Sequence, residues 1–496
     1  MVDAAELRDL IASRQEWLLV REAGKSFPLE KDEIEIVEDG EKTYFGFLDD
    51  KGFHSWRLNS FVQAGAEIAI DLAGAFARNR EMMRLVPRVL ASELTVEIEQ
   101  ARRQKANEIA GLIVDRFPGT KLGRVALNEA NGRLAQITFD AADKTPTAAI
   151  ADVTGALTVE ELFAAAILWL EKLGLRKKAV NEIWIICEKR QARNAQKLLA
   201  LLTERWKAKI TVIEIVRKCD PPSLEQLPKR KIRELWREKP AKIKLPDPSQ
   251  PSGTSQKIIE LSPEKIDVVY SRQGETPRFK GLAFARVRTL MGKQKAWFGV
   301  GRNRQILTDE NWDDLVELVD HLEVNRSADA ATKRHEYYRS APEAWLESIL
   351  RHRISLLDAN LILSPIYNQF RSSNDKIDLL ALRRDGRLVI IELKTQPDRT
   401  GVFQAVDYWR KIELQRRRGF LADADLFAGR EIADKPAIIY LAAPAWSFHR
   451  DFEFFARTIS PEIELWRFEL HENWRENVKV LARQNYAQAI AEARTK

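Results

Sequence analysis

The sequence has few of the residues on which disulfide frameworks and zinc sites depend. Among its 496 residues are two cysteines, Cys187 and Cys219, and six histidines, none in an H-x-x-x-H pair. Two isolated cysteines exclude a disulfide framework, and their spacing excludes a cysteine zinc site. Cys187 lies in an apolar run, so we expect it to be a buried thiol.

Long apolar runs are also lacking. The chain has no apolar stretch of about 18 residues, the length of a membrane-spanning helix, so we expect no membrane association. Its N-terminus lacks the basic and then apolar pattern of a secretory signal, which predicts a cytoplasmic protein. A composition of 45% apolar and 31% charged residues is typical of globular domains, and the net charge of +7 is compatible with a polyanionic partner.

A hairpin with charged ends is the most informative stretch that the sequence does contain. Two apolar runs, Ile377–Leu382 and Leu388–Leu393, flank a charged turn with Asp-Gly. Asp378 opens the first strand, while Glu392 and Lys394 close the second and project to one face because they are two residues apart. The hairpin therefore predicts two carboxylates and an ammonium at one buried end, where unpaired charge is costly.

This grouping suits the hydrolysis of a phosphodiester. Two carboxylates can hold Mg²⁺, a hard cation that prefers oxygen ligands. The cation lowers the pKa of a bound water and offsets charge on the phosphate. The lysine can orient that water and stabilise the oxyanion. A solvated strand end beside an ordinary ion pair is the alternative interpretation.

Two predicted helices flank the hairpin. The downstream helix, over 402–409, places Gln404 and Tyr408 on one face because they are four residues apart. The upstream helix, over 340–350, has Ser340 as its predicted N-cap. It also carries the third carboxylate of the predicted site, supplied by Glu343 or Glu347.

The order of these elements resembles the PD-(D/E)xK nuclease superfamily. The pattern is most similar to its RecB-like branch, which includes the NucS mismatch endonucleases, over roughly residues 335–476. We prefer Glu343 to Glu347 because the helix sequence resembles the family's Glu-x-x-Leu-x-x-x-Leu opening. One departure is Ile377, which stands where the superfamily's name has proline.

The resemblance implies a set of catalytic residues, a set of metal ligands and a reaction. The catalytic residues would be Glu343, Asp378, Glu392, Lys394, Gln404 and Tyr408. The metal ligands would be Asp378, Glu392, Glu343 and the Leu393 carbonyl. The reaction would be Mg²⁺- or Mn²⁺-dependent cleavage of DNA, with an endonuclease in repair or defence favoured.

Other activities stay open from the sequence. An RNA nuclease fits the same residues. A non-catalytic nucleic-acid-binding protein that kept the fold is a second alternative, although binding alone does not require an intact Lys394. One site per chain cannot address both strands of a duplex, so a homodimer is the expected form for double-strand cleavage.

The N-terminal half predicts a similar series of elements. A strand-rich module comes first, with Trp56 and Phe61 as its predicted core. It is followed by predicted helices over 96–115, 159–173 and 192–206 and predicted strands at 135–139, 148–153, 183–187 and 210–215. The C-terminal half repeats this order, with further strands at 437–441 and 463–468 around a helix over 448–457.

A gapless alignment of the two halves supports a tandem duplication. Asp152 then corresponds to Glu392 and Trp169 to Trp409. We expect an α/β chain with a restriction-endonuclease-like mixed sheet flanked by helices, present twice, each copy preceded by a small β-rich module.

The first copy lacks the chemistry of the second. Thr138 stands at the position of Asp378, and Thr154 at the position of Lys394. Gln404 and Tyr408 are replaced by Ala164 and Leu168. Asp152 alone does not hold Mg²⁺ well, so we expect this copy to be structural or to contact DNA.

The expected domains follow from these patterns. They are a β-rich module (1–84), the degenerate nuclease-like domain (85–217), a basic Pro-rich linker (218–256), a second β-rich module (257–332), the nuclease domain (333–476) and a C-terminal tail (477–496). The linker is expected to hold a short helix over 224–237. Two basic clusters are either phosphate contacts or solvated surface: Lys229, Arg230 and Lys231, and Arg416, Arg417 and Arg418.

Overall fold

The structure is a computed structural model, and it describes residues 3–21, 26–40, 42–49, 52–73, 80–88, 91–176, 178–217, 222–238, 250–271, 274–290, 293–301, 304–363, 371–372, 375–376, 378–427 and 429–486. The chain forms two compact units. One comprises 1–158, 169–189 and 213–225, and the other comprises 159–168, 190–212 and 226–496. Within the described ranges, no helix is both long and apolar enough to cross a membrane.

The N-terminal module is a seven-stranded sheet with the order β2-β1-β7-β6-β5-β4-β3. Its elements are α1 (Ala4–Ala12), β1 (Glu16–Arg21), β2 (Ser26–Glu30), β3 (Ile34–Asp39), β4 (Lys42–Asp49), β5 (Gly52–Ala64), β6 (Glu67–Ala73) and β7 (Arg80–Pro87). The buried core includes Trp17, Phe45 and Phe47, whereas Trp56 and Phe61 are only partly buried against it. Strand β7 extends the module beyond its predicted end at residue 84.

A mixed six-stranded sheet follows, with the order β13-β12-β11-β10-β9-β8. Its elements are α2 (Ala91–Arg116), β8 (Lys121–Leu127), β9 (Leu134–Asp140), β10 (Pro146–Asp152), α3 (Val159–Gly174), β11 (Glu182–Glu188), α4 (Lys189–Leu199), α5 (Glu204–Lys209), β12 (Ile210–Val216) and β13 (Ser223–Gln226). Strands β9 and β10 are antiparallel, and β10 and β11 are parallel. Cys187 is buried in β11, as predicted, whereas Cys219 lies outside the described residues.

Two of the predicted helices are wrong. The helix expected over 192–206 is divided into α4 and α5. It is interrupted because Leu201 and Thr203, which lie between these two helices, make backbone hydrogen bonds to the 458–460 segment. The helix expected over 224–237 is instead strand β13 and the short helix α6 (Ile232–Leu235). Since Leu224, Ile232 and Leu235 are buried, this part of the expected linker is packed structure. The basic residues at 239–249 lie outside the described ranges.

The second β-rich module is a six-stranded sheet. One helix precedes its strands in the sequence, and one helix follows them. Its elements are α7 (Gly253–Glu260), β14 (Ile266–Ser271), β15 (Gly274–Phe279), β16 (Leu282–Ala283), β17 (Ala285–Leu290), β18 (Lys293–Phe298), β19 (Gln305–Ile306) and α8 (Trp312–Asn325). Phe279, Phe284, Leu315 and Leu322 are buried together in its core.

The C-terminal part is a second mixed sheet of six strands, with the order β20-β23-β24-β25-β26-β27. Its elements are α9 (Glu336–Arg339), α10 (Pro342–His352), β20 (Leu361–Leu363), β21 (Arg371–Ser372), β22 (Asp375–Lys376), β23 (Leu379–Arg383), β24 (Leu388–Leu393), α11 (Gly401–Arg417), α12 (Phe420–Asp423), β25 (Ile438–Pro444), α13 (Phe452–Ala456), β26 (Glu464–Leu470) and β27 (Val480–Asn485). Strand β27 pairs antiparallel with β26, so the expected tail begins with a strand of this sheet.

The predicted hairpin is confirmed as β23 and β24. They pair antiparallel, with Leu379 opposite Ile391. Every residue of β24 is buried, as its continuous apolar run predicts. The turn uses Gly386 in the left-handed region, at φ 81°, where other residues are strained.

Helix α10 begins later than predicted. Its N-terminal boundary residue is Ala341, with φ 42°, rather than Ser340. The Ser340 carbonyl instead accepts a hydrogen bond of 2.7 Å from the buried Arg326 guanidinium. Arg326 also donates to the carbonyls of Lys280, Tyr337 and Ala341, and these bonds fix the chain just before the helix that carries Glu343.

Candidate active site

The hairpin brings the two predicted acids to its buried end. Asp378 immediately precedes β23, and Glu392 is the penultimate residue of β24; they are 9% and 3% exposed. The Leu393 amide donates a hydrogen bond of 2.9 Å to Asp378 Oδ2. The backbone of one strand thereby fixes a carboxylate of the other.

Lys394 is held by three acceptors at the end of β24. Its Nζ lies 2.9 Å from Glu392 Oε1 and 3.0 Å from Gln404 Oε1 on α11. The third acceptor is Asp398 Oδ2 at 3.1 Å. The Lys394 amide donates to the Ala442 carbonyl of β25 at 3.0 Å, so the neighbouring parallel strand fixes the lysine backbone.

Asp398 is a charged member of this cluster that the sequence did not predict. Its Oδ1 accepts hydrogen bonds of 2.7 Å from both the backbone amide and the hydroxyl of Thr400. This turn leads into α11 and aims the other carboxylate oxygen at Lys394. The only sequence signal was an Asp two residues before a Thr at a helix start, which is common in turns.

Glu343 extends the acidic cluster from α10. It is partly buried and accepts a hydrogen bond from the Thr395 backbone amide. Burial and the nearby Asp378 raise its pKa, although Lys394 acts in the opposite direction. Glu347, one turn further along, is 3% exposed. The interactions of Glu343 with Asp378 and Lys394 favour it over Glu347 as the helix carboxylate.

The cluster carries more negative charge than its burial favours. Burial, followed by the charge of Asp378, raises the pKa of Glu392 to about 8, although Lys394 opposes the rise. Burial alone would lower the pKa of Lys394, but Glu392 and Asp398 outweigh it and raise that pKa. The lysine is therefore a cation, and the glutamate is easily protonated in the absence of a further positive charge.

The donor set fits a hard divalent cation. Glu392 Oε2 is buried and has no hydrogen-bond partner among the described residues. A buried oxygen without a partner is costly, and a cation would satisfy it. In the described part of the chain, no three Asp, Glu, His or Cys side chains stand in a ready ligand arrangement. A cation here would therefore depend on two or three carboxylates together with backbone or water oxygens.

Tyr408 lies one turn after Gln404 on α11. It is partly buried, and the Lys411 ammonium lies 5.5 Å from the centre of its ring. The structure thus places Tyr408 on the helix that supplies Gln404.

The side chains of the triple arginine have partners within the protein. The side chain of Arg416 is 6% exposed and pairs at 2.8 Å with the fully buried Glu413. Arg417 pairs with the same carboxylate at 3.1 Å, and Arg418 donates to the Trp236 carbonyl. Internal acceptors engage these guanidiniums, and their contact with phosphate stays a prediction.

Two of the three basic residues at 229–231 also have internal partners. Lys229 Nζ donates to the Ala208 carbonyl at 3.0 Å, and Arg230 pairs with Glu238 at 3.1 Å. Lys231 is the N-cap residue of α6. Lys229 and Arg230 are therefore engaged by acceptors of the protein itself, which neither interpretation from the sequence included.

The corresponding region of the first sheet is closed by its own hydrogen bonds. Asp152 accepts bonds of 2.7 Å from the amide and hydroxyl of Thr154, and one of 3.0 Å from the Leu157 amide. Thr138 Oγ1 accepts from the Arg124 amide at 3.2 Å. The single acid of this region therefore caps a turn.

Comparisons with known proteins give little further information. No protein-family model matches the chain, and no curated protein matches it. Among solved structures, the apo form of EndoMS covers 38% of this chain and 90% of its own, with 10% identity and a TM-score of 0.15. A similarity at that TM-score carries no argument about fold or function.

Proposed function

We propose that the protein is a Mg²⁺-dependent nuclease that hydrolyses phosphodiester bonds in DNA. The observation that carries the proposal is the buried, unpartnered Glu392 Oε2 beside Asp378 and Lys394. Burying several acids around an oxygen without a hydrogen-bond partner is costly for folding, whereas the same arrangement suits a bound cation. The resemblance to the PD-(D/E)xK pattern supports the same reaction.

The cation would be held by Asp378 and Glu392, with Glu343 and the Leu393 carbonyl as further oxygen donors. Mn²⁺ would suit the same oxygen donors. When bound, the ion would supply Lewis acidity toward the phosphodiester and the attacking water.

Lys394 would stabilise negative charge on the phosphate as an ammonium. Its three N–H groups point to Glu392, Gln404 and Asp398 in the protein alone. The Asp398 side chain is 28% exposed and the Glu392 side chain 4%. The contact with Asp398 is therefore the one that a phosphate oxygen or a water can replace most readily, while Glu392 and Gln404 keep the lysine in place.

The sheet orders support the proposed tandem duplication. In both mixed sheets an antiparallel hairpin, β9–β10 or β23–β24, is followed by a parallel strand, β11 or β25. Only the second hairpin carries the acids and the lysine. A single chain would then nick duplex DNA, and a double-strand break would need two chains.

Cleavage of a panel of labelled DNA and RNA structures, with and without Mg²⁺, tests the proposal. We expect metal-dependent cleavage of DNA by the wild type and none by Asp378→Asn. Asp152→Asn, which stands in the first sheet at the position of Glu392, is the control and should cleave normally. Dilute protein should convert supercoiled plasmid to open circles before linear product appears. Absence of cleavage across the panel, or full activity of Asp378→Asn, would disprove the proposal.

A further inference from the structure

A cavity of about 410 Å³ adjoins the candidate active site. Its walls come from three segments far apart in the sequence: 333–342, 395–396 and 474–475. Thr395 and Gln396 directly follow Lys394, and Pro342 directly precedes Glu343. Since the Thr395 amide also donates to Glu343, the cavity and the acidic cluster share a wall.

The lining of this cavity is strongly cationic. Lys333, Arg334, Arg339 and Arg475 line it, and no acidic side chain does. Lys333, Arg334 and Arg339 are exposed, and among the described residues no carboxylate pairs with them. This differs from the arginine cluster at 416–418, whose charges have internal partners.

Arg475 forms the inner part of the lining. Its guanidinium lies 4.3 Å from the ring centre of Trp474 and 4.6 Å from that of Tyr338. Its Nε is buried and has no hydrogen-bond acceptor among the described residues. Burial lowers its pKa. A buried donor without an acceptor, beside three unpaired cations, is a site for an oxyanion.

We propose that this cavity binds a backbone phosphate of the nucleic-acid strand, next to the phosphodiester at the acidic cluster. The inference rests on the proposed function for the position of the strand. Convergent Arg and Lys side chains are the usual contacts to phosphate oxygens, and they set the register of a strand without reading its sequence. The shared wall would then link strand position to the scissile bond.

The proposal makes the substrate an oligonucleotide that extends past the cleaved bond on the cavity side. A strand that ends at the scissile phosphate would lack the cavity contact and bind more weakly. A free mononucleotide offers the same phosphate chemistry, so the experiment must separate the two sources.

The test is binding of a labelled oligonucleotide to the full chain in EDTA, which prevents cleavage. The test variant is Lys333→Gln/Arg334→Gln/Arg339→Gln, which leaves the packed Arg475 in place. The control is Arg430→Gln/Lys435→Gln, which removes two positive charges elsewhere on the surface. Both control residues are exposed, and Ala433 between them bonds to Gly386 at the opposite end of the hairpin. Equal melting temperatures would show that every variant is folded.

We expect the triple variant to lose about tenfold or more in affinity near 0.1 M salt. The magnitude of the slope of log affinity against log salt should fall by about 1 to 3. The reason is that binding releases fewer counterions when phosphate contacts are lost. The control variant should match the wild type. Unchanged affinity and salt slope in the folded triple variant would overturn the proposal.

Two further arms identify the source of the phosphate. Methylphosphonate linkages, introduced one at a time, should weaken wild-type binding at a position beside the scissile bond but not weaken the triple variant further. Inorganic phosphate and dAMP should compete only weakly. If dAMP competed strongly and no methylphosphonate had an effect, the cavity would bind a free nucleotide and not a strand. That result would overturn the proposal. These binding measurements need no cleavage. A protein that gave the expected binding results but cleaved no substrate would therefore disprove only the proposed function.

Discussion

The Leu393 amide donates a 2.9 Å hydrogen bond to Asp378 Oδ2, so the backbone on which Glu392 and Lys394 stand also orients the other acid. The carboxylates of Asp378 and Glu392 act on the cation in the proposed reaction and not on the nucleic-acid backbone. We therefore expect Asp378→Ala or Glu392→Ala to abolish Mg²⁺ binding and cleavage while oligonucleotide affinity stays near that of the wild type. Calorimetry with Mg²⁺ and a gel-shift assay measure the two properties. Full cleavage by both variants would refute the assignment.

Replacement of Lys394 separates chemistry from metal binding. Because the ammonium is proposed to act on charge that develops during reaction, Lys394→Ala should lower the cleavage rate by about 10²- to 10³-fold. Mg²⁺ should still bind in calorimetry. Asp398→Asn is the comparison, since Glu392 and Gln404 would still hold the lysine. It should lose less activity than Lys394→Ala, and an equal loss would make Asp398 part of the reaction.

The pH dependence of stability reports on Glu392. Burial raises its pKa to about 8 in the folded chain, whereas in an unfolded chain it returns to about 4.3. Between these two values the folded state binds more protons than the unfolded state. The contribution of Glu392 to the free energy of unfolding is therefore full below about pH 4 and is lost as the pH rises through 8. In EDTA the melting temperature of the wild type should fall between about pH 5 and 8 more than that of Glu392→Gln. Identical profiles would contradict the raised pKa.

Arg416 should matter for stability and not for nucleic-acid binding. Its replacement by Gln removes a partner of Glu413, which is fully buried, and should cost about 1–3 kcal/mol in the free energy of unfolding. Arg418→Gln is the exposed control and should cost less. Urea unfolding measures both variants, and oligonucleotide binding should keep the same salt slope. A flatter slope for Arg416→Gln at unchanged stability would restore the phosphate-contact hypothesis.

The sequence predicted the parts of the site that depend on periodicity. The β23–β24 hairpin follows from apolar runs and an Asp-Gly turn, and Gln404 follows from helical spacing. Asp398 could not be predicted in the same way, because a loop fixes its direction. The charged runs at 229–231 and 416–418 were ambiguous, because a sequence does not show whether a guanidinium meets a carboxylate from another segment, as Arg416 meets Asp434.

Long-range packing set the other limits. The cationic cavity combines residues from three separate segments, and no local pattern joins them. Strand β27 lies within the expected tail, and most of its residues are exposed, so no buried apolar run marks it in the sequence. Ser340 has a good capping side chain, but Arg326 takes up its carbonyl and the helix begins two residues later. In each case a contact with a distant segment outweighed the local preference.

Helix α10 is positioned from outside its own sheet. Gly281, in the β-rich module, has φ 82°, and a Cβ there would collide with the Ala344 carbonyl in the first turns of α10. Arg326, at the end of the module's helix, binds the carbonyls that precede the same helix. A recombination breakpoint near residue 333 would therefore separate Glu343 from the contacts that place it. The β-rich module and the α/β part should therefore be exchanged between proteins together. The fragment 333–496 should not be transferred to another protein without the module.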